Sequence, residues 1–132
     1  MKVYLAARWS RRDEMRVYAE DLADRGHECI SQWLYGNTFG DDGHRALTHA
    51  ESAMCATVDL ANIDCADIIV CFTEQPGSGA ARGGRHVELG YALGKGDIYV
   101  IVVGPVENVF CSLAEVVGTW DEALEAIEAV PE

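Results

Sequence analysis

The residues best equipped for chemistry in this chain surround a glycine-rich turn, GGRHVELGYALGKG (83–96), which leads into a predicted helix carrying Glu88 in its first turn. Glycines there let a backbone approach a ligand closely. The helix dipole favours an ionised carboxylate at such a position, and attack on a sugar carbon requires an ionised carboxylate. The alternative is a carboxylate that only stabilises the helix start. The turn fails as either of two familiar phosphate loops. Gly77-Ser78-Gly79 opens like a dinucleotide fingerprint, but its sixth position is Arg82. Gly79 to Gly84 has P-loop spacing, but Arg85 and His86 follow where Lys and Ser or Thr are required. Neither NAD binding nor ATP hydrolysis is expected, and no cofactor is implied.

A second group is basic. Arg8, Arg11 and Arg12 crowd into RWSRR, and Arg82 and Arg85 form a smaller pair. Cations in a helix's first turn oppose its dipole, whereas an anion bound to the free N–H groups there reconciles the two. A small anionic ligand on Arg8, Ser10 and Arg11 fits this pattern; pairing with Asp13, Glu14 or other surface acids is the competing explanation.

These groups need a frame. KVYLAA (2–7), HECISQW (27–33), ADIIVCF (66–72) and IYVIVVG (98–104) read as buried strands, and PVENVFCSLAEVVGTW has room for a short fifth. A helix with Ser10 as N-cap carries the stripe Met15, Tyr18, Ala19, Leu22 and closes at Gly26. Helical spacing recurs from Arg45 to Ile63 and from Arg85 to Leu93, and DEALEAIEAV is a last helix capped by Asp121. LYGNTFGDDGH (34–44) has no periodicity and reads as a loop covering a site. The alternation predicts one α/β domain, a flavodoxin/Rossmann-like three-layer sandwich with a parallel sheet of four to five strands and helices on both faces. Ligands bind such sheets outside the carboxyl ends of the strands near a topological switch point. That rule selects 7–12, 31–33, 73–88 and 104–110 as the rim.

Composition narrows the partners. The 132 residues carry a formal charge of −12, which opposes binding to polymeric nucleic acid and to anionic membranes. No apolar run of about 18 residues is present, and the start is too soon charged for a secretory signal, so a cytoplasmic protein is expected. The five cysteines form no CxxC pair and read as reduced, buried thiols. His44 and His49 are five apart, which puts them on different helix faces, so no metal site is expected.

Taken in order, YLAARW, a Trp-bearing second strand, VDLANIDCADIIVCF, GGRHVELGYALGKG and GPVENVF resemble the nucleoside 2-deoxyribosyltransferase-like family, which includes 2′-deoxynucleoside 5′-phosphate N-hydrolases. The resemblance spans nearly the whole chain and is most specific at ELGYA and at the DLANI–ADIIV pair. It implies Glu88 as nucleophile, Asp59 as proton donor near the leaving base, and Tyr4 as hydrogen-bond partner of the nucleophile. Polar contact alone for Asp59, and a core position for Tyr4, are the alternatives. The anion on Arg8 and Ser10 becomes a 5′-phosphate. Gln32 and Trp33, helped by Trp9, face the base, with packed core as the alternative for Trp33. Ser78, Arg82, Gly84 and Arg85 line the substrate, and Asn108 matches an element that completes a neighbouring subunit's site, implying at least a homodimer. Arg82 departs from the acidic residue that transferases often carry six before the nucleophile, and GAARGG displaces Ser78. The expected activity is hydrolysis of a (deoxy)nucleoside 5′-monophosphate through a covalent glycosyl-Glu88 intermediate. Base exchange comes second, and nucleotide sequestration without catalysis third.

Overall fold

Five short apolar segments pair side by side in the order β2-β1-β3-β4-β5, every pair parallel. They are β1 (Lys2–Ala6), β2 (Glu28–Cys29), β3 (Ile68–Phe72), β4 (Tyr99–Val103) and β5 (Glu115–Val117). The computed structural model describes residues 1–36, 46–78 and 83–132. The expected loop at 34–44 lies mostly outside them, as do Arg45, His44 and Arg82.

Alternation along the strands divides the core in two. Val3, Leu5, Ile68, Val70, Phe72, Ile101 and Val103 pack on one face against α1 (Arg12–Asp24) and α4 (Trp120–Ala129). Tyr4, Ala6, Ile69, Cys71, Val100 and Val102 pack on the other against α2 (His49–Asp64) and α3 (Gly84–Lys95). A parallel sheet covered on both faces explains the unbroken apolar runs of β3 and β4. The expected three-layer sandwich is therefore present, and the switch point lies between β1 and β3, where the chain turns to opposite sides of β1.

Some elements differ from expectation. The second strand ends at Cys29, and Gln32–Tyr35 is a 3₁₀ turn. Side chains replace the ladder there: Ser31 Oγ accepts from the Leu5 N–H at 2.7 Å, and the Trp33 indole donates to the Leu5 carbonyl at 2.8 Å. Ser10 does not cap α1. A 3₁₀ turn, Trp9–Arg11, precedes the helix, whose N-cap is Arg11 with no side-chain hydrogen bond, and Asp13 and Glu14 supply first-turn negative charge instead. For α4 the cap is Thr119 rather than Asp121, its hydroxyl accepting from the Glu122 N–H at 3.2 Å. Two cysteines, Cys71 and Cys111, are buried; Cys29 and Cys55 are half-buried, Cys65 is exposed, and all five are free thiols. No helix among the described residues is long and apolar enough to cross a membrane.

One glycine is tightly constrained. Gly104, just past β4, has φ +116°, and a Cβ there would stand 2.4 Å from Thr73 Oγ1. That hydroxyl donates to the Val103 carbonyl at 3.2 Å. Gly104→Ala is expected to cost about 2–4 kcal/mol through backbone strain and overpacking. Urea denaturation checks this, and an unshifted midpoint would contradict it.

Candidate active site

Tyr4 stands in the middle of β1 on the α2–α3 face and is fully buried. Glu88 descends onto it from α3, and the Tyr4 hydroxyl donates a short hydrogen bond to Glu88 Oε2. Asp59, on α2, lies close enough for its charge to act on both. The structure thus brings together Tyr4, Asp59 and Glu88 beside the switch point, from three elements far apart in sequence.

Glu88 is not in the first turn of α3. The helix begins at Gly84 after Gly83 in the left-handed conformation, and its first turn holds no acid. Burial therefore outweighs the dipole. It pushes the Glu88 carboxyl from 4.5 up to about 7; the donated Tyr4 hydrogen bond opposes the shift and the Asp59 charge adds to it. Burial likewise raises Asp59 to about 6. Desolvation, then the Glu88 and Asp59 charges, push the Tyr4 phenol far above its ordinary range, so it is a donor at any ordinary pH.

Arg8 and Arg11 are paired with acidic side chains. Arg11 grips Glu14 through two nitrogens, Nε at 2.9 Å and Nη2 at 2.8 Å, and reaches Glu74 Oε2 with Nη1 at 2.8 Å. Arg8 Nη1 lies 3.4 Å from Glu74 Oε1 and 3.3 Å from the Ser78 carbonyl. The surface-pairing explanation accounts for Arg11 through Glu14, and Glu74 joins both arginines into one cluster. Arg12 stacks over Trp9, 4.5 Å from the ring centroid, and Trp9 tilts against Trp33 at 6.1 Å. Trp33 is half-buried between the two core clusters, with its N–H engaged by Leu5. Gln32 is exposed, its backbone N–H donating to Asn62 Oδ1 at 3.2 Å. Ser10 and Ser78 are exposed, and Gly84 opens α3 with open space around its Cα.

Arg85 points inward. Only 6% of it is exposed, and its Nη2 donates to both oxygens of Glu107 at 2.5 and 2.6 Å, while its Nε is buried without a hydrogen-bond partner. Glu107 Oε1 also accepts the Glu74 backbone N–H at 3.0 Å. Asn108 caps the 3₁₀ turn Val109–Leu113 by accepting from the Phe110 N–H, and its amide lies 3.4 Å from His86 Nδ1. Sequence reasoning singled out neither Glu74, Glu107 nor His86, although each lies within the strand-end rim. An open depression of about 600 Å³, lined by Met1, Asp67, Ile98 and Tyr99, occupies the opposite, amino end of the strands and holds none of these residues.

No protein-family model and no curated protein matches the chain. Among solved structures, it is similar to the CMP N-glycosidase BcmB of Clostridium botulinum, with a TM-score of 0.55 and 18% identity over 98% of this chain and 100% of that one. The likeness is one of fold: this chain has the architecture of that N-glycosidase from end to end.

Proposed function

We propose that this protein is an N-glycosidase that cleaves the base from a nucleoside 5′-monophosphate. Glu88 attacks C1′, Asp59 protonates the departing base, and water then releases the sugar phosphate from Glu88. The observation that carries this reading is the Tyr4–Glu88–Asp59 grouping beside the switch point. The fold shared with a CMP N-glycosidase supports it, and so does the resemblance of the ELGYA and DLANI segments to the deoxyribosyltransferase-like family. Tyr4 holds the nucleophilic oxygen in place, and its donated hydrogen bond favours the charged form of Glu88. Arg8 and Arg11 receive the 5′-phosphate, and Trp9 with Trp33 borders the base. A chromatographic screen of nucleosides and 5′-monophosphates for released base tests the reading, and adding a second base distinguishes hydrolysis from exchange. Absence of base release from every monophosphate contradicts it.

The two carboxylates give the pH profile. Neighbouring acids lose protons as a pair, and with values of about 6 and about 7 one proton is shared between them in the interval. In that interval the proton sits mainly on Glu88, and the productive arrangement, Glu88 ionised with Asp59 protonated, is the minor form of the same singly protonated pair, its population tied to that of the pair. Base release is therefore expected to fall as pH rises through about 7, when the remaining proton leaves. The acid side is less diagnostic, because a substrate phosphate itself titrates near pH 6. Asp59→Asn should abolish the alkaline fall; a fall that persists in this variant contradicts the assignment of Asp59.

Self-association belongs to the same proposal. Val109, Phe110 and Leu113 are 77, 61 and 70% exposed beside Asn108, and apolar residues clustered so openly favour burial against a second copy. Light scattering is expected to give at least a dimer, and Phe110→Asp a smaller species. A wild-type monomer at micromolar concentration contradicts this.

A further inference from the structure

We infer that Glu74 is a built-in competitor for the anion site, a specificity-determining residue whose carboxylate occupies the place between Arg8 and Arg11 that a substrate phosphate would take. The inference rests on the phosphate-binding role proposed for those arginines.

Glu74 lies two residues beyond β3, and its side chain is 16% exposed between the side chains of Arg8 and Arg11, which are 23 and 25% exposed. One carboxylate oxygen faces each arginine, at 3.4 Å for Arg8 and 2.8 Å for Arg11, so Glu74 bridges the two cations as an anion bound between them would. Two features make it removable. Arg11 is held independently by the two-nitrogen grip on Glu14 and by the bond from Nη1 to the Thr73 carbonyl at 3.3 Å, so it stays in place when Glu74 leaves. The Glu74 backbone is anchored through its N–H to Glu107, so the side chain can swing to solvent without moving the strand end.

Charge explains the consequence. Arg8 and Arg11 are matched by Glu14 and Glu74, so the cluster they form is neutral. A phosphate dianion entering beside Glu74 would find no net attraction from these four groups and would be repelled by the Glu74 carboxylate next to it. Entry therefore requires exchange of one anion for another, which lowers phosphate affinity and leaves an uncharged nucleoside unaffected by Glu74.

Calorimetric titration of inorganic phosphate, CMP and cytidine into wild type, Glu74→Gln and Glu74→Ala tests this, with thermal melts checking that the variants fold. Phosphate and CMP are expected to bind about tenfold more tightly to Glu74→Gln, with any cytidine affinity unchanged. Equal or weaker phosphate affinity in both variants overturns the inference, as does a cytidine gain of the same size. Base release measured on the same proteins separates the two readings. Tighter phosphate binding with no turnover by wild type overturns the glycosidase alone, and turnover without tighter binding overturns the role of Glu74 alone.

Discussion

Glu88→Gln is expected to reduce base release by about 10⁴-fold or more while making the folded protein more stable at neutral pH. The loss follows from removing the attacking oxygen's charge, since an amide is not a nucleophile toward C1′ and knocking out a nucleophile costs orders of magnitude in rate. The gain follows from the same burial that raises the carboxyl. A folded value of about 7 against an ordinary 4.5 means that the fold favours the protonated acid. The group's contribution to stability is therefore fully present below about pH 4.5 and is lost as pH rises through about 7. Glutamine keeps an oxygen for the Tyr4 hydroxyl and has no proton to lose. At pH 8 the variant should be more stable by roughly 1–3 kcal/mol, and below pH 4.5 the difference should close. Denaturation at the two pH values checks this, and a variant no more stable than wild type at pH 8 contradicts the burial of an ionised Glu88. Activity and stability moving in opposite directions is the signature of a site strained for its chemistry.

Glu107→Ala should be the most destabilising single change at the site's margin. Arg85 is almost wholly buried, its two bonds from Nη2 both end on Glu107, and its Nε has no partner to fall back on. Removing one member of such a pair leaves an uncompensated buried charge and costs about 3–5 kcal/mol. The double variant Arg85→Met/Glu107→Leu should recover most of that, because paired apolar side chains carry no desolvation penalty. Chemical denaturation of the three variants measures the coupling. A loss under 1 kcal/mol in Glu107→Ala, or a double variant worse than the single, contradicts the pairing. Because Glu107 also holds the Glu74 N–H, the single variant should loosen the strand end after β3 as well.

The sheet was readable because strands covered on both faces leave an unmistakable apolar run, as in IIVCF and YVIVV. The start of α4 is marked by Thr119-x-x-Glu122, a helix-start signature, and the cap lies two residues before the expected Asp121. The end of β2 was not legible, because Ser31 and Trp33 imitate backbone pairing with side chains, and composition carries no trace of that. Of the site, the grouping of Tyr4, Asp59 and Glu88 followed from the family resemblance and not from spacing, since residues on β1, α2 and α3 meet only in three dimensions. The raised pKa of Glu88 was not legible for a related reason: a carboxylate's position along a helix is visible in sequence, but its desolvation is not. Of the arginines' partners, Glu14 was legible as a near neighbour of Arg11 in sequence, and the distant ones were not. Glu74 and Glu107 are two among 22 acids, and nothing local marks them as the ones that reach Arg8, Arg11 and Arg85.

The most direct test of a nucleophilic Glu88 is mass spectrometry of the protein quenched during turnover of a 5′-monophosphate, followed by peptide mapping. The expected result is a sugar-phosphate adduct on the peptide containing Glu88, absent from Glu88→Gln and lost from wild type as substrate is exhausted. Base release that persists in Glu88→Gln, or an adduct that maps to another residue, would contradict it.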